Sequence, residues 1–211
     1  MKKQLTAALL LGSLSFASQA QSSDWTLRVH GAHISPNDDS SQVLGNDGVG
    51  VDSASGLAFS ISKAINRDWS VELQAALPFS HDINGTGAID GLPIGDTKHL
   101  PPTLNALYHL NDVWHLGLGV NYTLFFDEQT SDALTNALGA DSTALKLDDS
   151  VGLAAKVGFD YPLTENWSLS GGVYYMDIDT DADVLVNGEV ATTVDVEIDP
   201  WVALFGISTK F

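Results

Sequence analysis

The chain has 211 residues, with 27 Asp and Glu against 9 Lys and Arg, a formal net charge of −18, and no cysteine. That length fits one domain or two small ones. The acidic balance excludes nucleic acid as a partner, because Lys and Arg would have to neutralise its phosphates. The missing cysteines exclude disulfides, thiolate zinc sites and a Cys nucleophile.

At the N-terminus Lys2 and Lys3 precede an uncharged stretch from Leu5 to Phe16 and then Ser18-Gln19-Ala20. A short basic region, an apolar region and small residues before a cut after Ala20 make a secretory leader. The stretch is too short for a membrane-spanning helix, which needs about 20 apolar residues. Residues 1–20 are therefore expected to be removed on export, leaving 21–211 as a single domain. The leader takes two of the few cations with it, so the mature chain is more acidic still.

From Trp25 onward the recurring signal is strict alternation. Leu27 and Val29 oppose Thr26, Arg28 and His30; Leu57, Phe59 and Ile61 oppose Ala58, Ser60 and Ser62. Asn66-Arg67-Asp68 leads into Trp69, after which Val71, Leu73 and Ala75 oppose Ser70, Glu72 and Gln74. Leu104, Ala106, Tyr108 and Leu110 oppose Thr103, Asn105 and His109. Asn111-Asp112 leads towards Trp114, with Leu116, Leu118 and Val120 against His115, Gly117 and Gly119. Leu153, Ala155, Val157 and Phe159 oppose Gly152, Ala154, Lys156 and Gly158. Thr164-Glu165-Asn166 leads into Trp167, with Leu169 and Val173 against Ser168 and Ser170, and the last run is Trp201, Ala203, Phe205, Ile207 and Phe211.

Side chains alternate across a strand, so each run has one apolar face and one small or polar face. Eight residues at ~3.4 Å, tilted ~40°, rise about 21 Å, close to the ~25 Å apolar band of an outer-membrane barrel. The Trp row forms one aromatic girdle, and Tyr122 and Tyr175 belong to the other. A soluble lipocalin-like barrel would invert the faces; the Trp rows and the terminal Phe211 favour lipid. The expected fold is all-β, an eight-stranded antiparallel transmembrane barrel. Its short periplasmic turns face four long extracellular loops at about 35–53, 80–99, 126–149 and 179–192. Acidic residues gather in those loops, including Asp38, Asp39, Asp47 and Asp52 in the first and Asp127, Glu128, Asp132, Asp141, Asp148 and Asp149 in the third.

Several segments resemble the outer membrane protein W family of small barrels. They are Ser35-Pro36-Asn37-Asp38, Pro78-Phe79-Ser80-His81-Asp82-Ile83, Leu100-Pro101-Pro102-Thr103 with Tyr108-His109, and Gly117-Leu118-Gly119-Val120-Asn121-Tyr122. Glu165-Asn166-Trp167 and Glu197-Ile198-Asp199-Pro200-Trp201 complete the set. The resemblance spans essentially the whole mature chain; the LPPT and IDPW stretches are its more specific parts. It implies a barrel in the outer membrane of a Gram-negative cell, with a hydrophobic lumen associated with uptake of small apolar compounds. It brings no catalytic residues and no cofactor.

Inward positions change character with height. Near the Trp end they include Arg28, Glu72, His115 and Lys156, read as a polar, ion-paired floor. Higher up they are Ile34, Phe125, Met176, Ile178, Val202 and Leu204, read as an apolar pocket. Desolvating the floor's charges would be costly, so an apolar solute leaves more cheaply sideways. Pro78, Pro101 and Pro102 lack the N–H a ladder needs. They are candidates for a gap in the wall, a lateral port; the plainer reading is that they mark strand ends.

Other signals are weaker. Asp177, Asp179, Asp181 and Asp183 resemble the start of a calcium loop, but Ala182 stands where an EF-hand needs Gly and Glu189 falls one position late. A solvated acidic loop is the default, with divalent bridging to lipid headgroups as its rival. None of His30, His33, His81, His99, His109 and His115 has helical metal spacing, so no metal is expected. His81 and His99 flank the second loop and could meet, but a surface role is favoured. No nucleophile signature is visible, and the chain is expected not to be an enzyme. Expected partners are outer-membrane lipids, lipopolysaccharide and small apolar solutes. The alternative is a structural or surface-interaction protein, its lumen closed, whose acidic loops contact lipid, host factors, phage or bacteriocins.

Overall fold

A strand with lipid on one side and a lumen on the other must alternate, and closing such strands into a ring leaves no unpaired edge in the membrane. The computed structural model describes residues 24–37, 39–40 and 48–211. The leader assigned to residues 1–20, and Asp38 and Asp47 of the first acidic connection, lie outside the described residues.

In chain order the elements are β1 (Trp25–Ser35), β2 (Asp39–Ser40), β3 (Val49–Val51), β4 (Ala54–Ala64), β5 (Trp69–Ala76) and β6 (Phe79–Gly85). Then come β7 (Pro93–Leu100), β8 (Thr103–His109), β9 (Trp114–Thr130), the short helix α1 (Asp132–Ala137) and β10 (Thr143–Leu147). Last are β11 (Ser150–Pro162), β12 (Trp167–Met176), β13 (Asp179–Val186), β14 (Glu189–Glu197) and β15 (Trp201–Lys210). Strands β1, β4, β5, β8, β9, β11, β12 and β15 pair antiparallel in that order. β15 returns to β1 with Thr26 opposite Lys210 and Ile34 opposite Val202, closing an eight-stranded barrel.

The three tight turns owe their form to one polar side chain each. Asn66 Oδ1 accepts hydrogen bonds from the amides of Asp68 and Trp69, and Asn111 Oδ1 from those of Val113 and Trp114. Thr164 Oγ1 accepts from the Trp167 amide at 3.0 Å. Such caps fix the chain reversal and set which face each following Trp takes.

The outer surface is a belt of exposed apolar residues, among them Leu73, Leu104, Leu118, Leu153 and Phe205. Trp69 packs on Tyr108 and Trp114 on Phe159 at one margin, and Tyr175 on Trp201 at the other. Inside, Ser60, Glu72, Asn105, Asn121 and Ser170 are buried. Exposed apolar area on this scale identifies a surface covered by lipid.

The long extracellular connections carry secondary structure of their own. β9 runs past the rim, and its upper half pairs with β7, which pairs with β6 and through it with β3. β10, β13, β14 and β2 form a second sheet. The wall therefore continues above the membrane as an extension whose inner side joins the apolar core through Ile83, Ile94, Leu145, Ala182, Val194 and Val196. Three of the four aspartates of the calcium-like run, Asp179, Asp181 and Asp183, lie on β13 and Asp177 precedes it; Asp179 is exposed, while Thr180 and Ala182 point inward and are buried. Period-two alternation accounts for the spacing of those aspartates.

Candidate functional site

Three layers fill the barrel from the Trp girdle outward. The lowest is a charge network. Arg28 on β1 reaches Glu72 on β5 at 3.2 Å and Asp160 on β11 at 2.7 Å. Lys156 on β11 donates to Glu72 Oε1, as does Asn105 Nδ2 at 3.3 Å, while Ser60 Oγ donates to Glu72 Oε2 at 2.9 Å. Ser208 Oγ donates to Asp160 Oδ1 at 2.8 Å, and His115 Nδ1 lies 3.8 Å from Asp160 Oδ2. Two cations thus face two carboxylates, and Glu72, fully buried, uses both oxygens. Tyr174 caps the layer, its hydroxyl donating to Asn105 Oδ1 at 2.7 Å.

Glycine makes the network possible. A Cβ on Gly158 would strike the His115 ring, and one on Gly117 would meet the Lys156 stem. Inward-facing glycines on β9 and β11 are the clearance that lets long side chains cross a narrow barrel.

The middle layer is a constriction. Ile34, Met176, Val202 and Leu204 surround, with Phe79 and Pro101, a cavity of about 20 Å³. That is room for one water and no solute. Ala75 and Ala76 also border it, and there the wall is interrupted. The β5–β8 ladder ends at Gln74 opposite Thr103, and pairing resumes between β6 and β7 at Phe79 opposite His99. Ala75–Pro78 and Pro101–Pro102 lie in the break; Pro78 is exposed, Pro102 half-buried and Pro101 buried.

The upper layer is a vestibule of about 280 Å³ in the extension. Phe125 lines it, together with Ile83, Ile94, Leu145, Val184 and Val194. Ile178 is buried in the apolar cluster that links the two upper layers.

Ile83, Ile94, Leu145 and Val184 of the lining fall in segments expected to be loops, yet they stand on strands β6, β7, β10 and β13; Val194 and Val196, on β14, lie just beyond the fourth of those segments. His81 and His99 correct the surface role favoured for them. Each is only 3% exposed, and both line the vestibule with their rings stacked, centroids 4.8 Å apart. Burial holds both imidazoles below the usual histidine range, His99 down to about 3. Cross-strand packing of β6 on β7 is the physical reason, and it depends on a register the sequence alone does not fix.

On the outside of the extension, carboxylate oxygens of Asp177, Asp179 and Asp199 lie within 4.8 Å of one another. Asp199 accepts from the Tyr175 hydroxyl at 2.8 Å and the Ile178 amide at 3.0 Å, so part of its capacity serves the fold. Partial burial, then the charges of Asp177, Asp199 and Glu197, push the Asp179 carboxyl above its ordinary range.

These features have close counterparts among known proteins. "Outer membrane protein W" of Vibrio cholerae is 39% identical over the full length of both chains. The crystal structure of OprG from Pseudomonas aeruginosa superposes with a TM-score of 0.79 at 38% identity, covering 89% of this chain and 95% of that one. A more distant relative, 24% identical over the full length of both chains, is the "dibenzothiophene metabolism operon protein PahQ" of Pseudomonas aeruginosa. The OmpW family model matches residues 21–211. With an eight-stranded barrel, a lipid-facing belt and this match over the whole described structure, the chain belongs to the OmpW family and is a protein of the Gram-negative outer membrane.

Proposed function

We propose that the barrel admits small apolar molecules from outside into its vestibule and releases them sideways, through the break beside Pro101, into the outer leaflet. The observation that carries this reading is an apolar chamber stacked above a narrow constriction, below which a charge network seals the lumen. An apolar solute descending the axis would have to displace buried ion pairs and supply no hydrogen bonds in return. Turning through a wall where the ladder is already interrupted breaks fewer contacts. The name of the PahQ relative, which refers to metabolism of an aromatic heterocycle, is consistent with apolar traffic. The reading assigns the protein no catalytic step.

Replacing Pro101 and Pro102 with alanine restores two backbone donors beside the break. Uptake of naphthalene by cells carrying this variant is expected to fall towards that of cells without the protein. Uptake equal to wild type overturns the lateral route.

The 20 Å³ constriction favours a second reading, in which the lumen stays shut and the acidic outer faces of β13 and β14 serve surface contacts. Naphthalene uptake independent of the protein would support it.

A further inference from the structure

The vestibule is lined mainly by aliphatic side chains, yet two polar atoms are buried in its wall. His81 on β6 and His99 on β7 each leave Nε2 without a hydrogen-bond partner among the described residues. Buried polar atoms in folded proteins are almost always paired, and an unpaired one signals an unfilled role. Two of them in one apolar chamber point to something that enters the chamber.

The chemistry of that something follows from the tautomers. His81 Nδ1 lies 2.6 Å from the carbonyl oxygen of Asp52, which can only accept, so Nδ1 carries the proton. In the neutral ring Nε2 of His81 is then a bare acceptor. His99 stacks on it at an interplanar angle of 16° between Phe79 and Phe125, and its own Nε2 can carry a proton and donate. With His99 protonated on Nε2, the wall holds an acceptor and a donor on stacked rings, both covered by neighbouring lining side chains that a bound hydroxyl would have to displace slightly. A hydroxyl, which donates one hydrogen bond and accepts another, complements both; a hydrocarbon complements neither. The volume suits a compact ring system, since a cavity of ~150 Å³ already takes up benzene.

We propose that the vestibule selects apolar molecules bearing a hydroxyl group, phenols and hydroxylated hydrocarbons, over the parent hydrocarbons, with His81 and His99 as the specificity-determining residues. This rests on the vestibule being the entry chamber described above.

Binding of naphthalene and of 1-naphthol is measured to the protein in phosphatidylcholine nanodiscs, each corrected for partition into empty nanodiscs. Wild type is expected to prefer 1-naphthol by roughly tenfold, the scale set by leaving buried polar atoms unpaired. His81→Phe/His99→Phe is expected to lose that preference. In parallel, nitrogen-15 spectra of the histidines are recorded on the wild-type protein, which needs no variant to fold. 1-Naphthol should shift the Nε2 resonances of His81 and His99, and naphthalene should not.

Equal affinity of wild type for the two compounds, or Nε2 resonances unmoved by 1-naphthol, overturns the histidine assignment while leaving the apolar chamber standing. Failure of both compounds to bind overturns both the assignment and the entry-chamber reading.

Discussion

Glu72 shows how much of this barrel rests on single side chains. It sits at the centre of the lumen and takes hydrogen bonds from Arg28, Lys156, Ser60 and Asn105. Two buried cations depend on it and on Asp160 for compensation. Glu72→Gln keeps the volume and removes the charge, leaving the Arg28–Lys156 pair with one carboxylate. Breaking a buried pair in this way costs about 3–5 kcal/mol. A corresponding drop in unfolding free energy is expected in urea titrations of the refolded barrel in lipid vesicles. A loss below about 1 kcal/mol, the range of exposed pairs, would mean that water reaches the network. Arg28, Glu72, His115 and Lys156 were legible as inward residues from the alternation along their strands. Which of them pair was not, because Arg28 and Asp160 are 132 residues apart and meet only through ring closure.

At the scale of elements, the eight membrane strands were legible because lipid imposes a rule with few exceptions: from Leu27 to Ile207 the outward side chains are apolar or small, apart from His33 and Lys63 near the ends of their strands. The extension obeys the same period, but its outer faces meet water. Asp179, Asp181 and Asp183 on β13, and Asp195 and Glu197 on β14, therefore look like the composition of a loop, and no Trp marks where the strands begin. Their inward partners are the wall of the vestibule, and this distinction is testable. Val194→Asp places a carboxylate against the chamber, at a position only 4% exposed, and Glu197→Gln changes the outer face of the same strand. Naphthalene binding in nanodiscs is expected to fall at least tenfold for Val194→Asp and to stay unchanged for Glu197→Gln. Equal behaviour of the two variants would place β14 in some other orientation. Unfolding of the membrane barrel should move little in either, since the pairing of β14 is with β13 and β2 and not with the barrel wall.

For the whole molecule, the division of labour follows from where charge is allowed. The outer belt has none because it meets hydrocarbon, and the acidic surplus lies beyond the membrane, where water and counter-ions screen it. The lumen holds charge only as a neutral, hydrogen-bonded plug. A barrel of eight strands has interior space for side chains and little else, so the plug closes the axial path, and the chamber for a solute has to be built above the membrane. On the proposed reading, apolar molecules use that chamber while polar ones of similar size find no way through. The most direct measurement is paired flux into asymmetric vesicles with lipopolysaccharide in the outer leaflet, using radiolabelled naphthalene and radiolabelled arabinose, with and without the protein. Several-fold faster entry of naphthalene into the bilayer, with arabinose entry unchanged, is the expected result; acceleration of arabinose, or none of naphthalene, would contradict it.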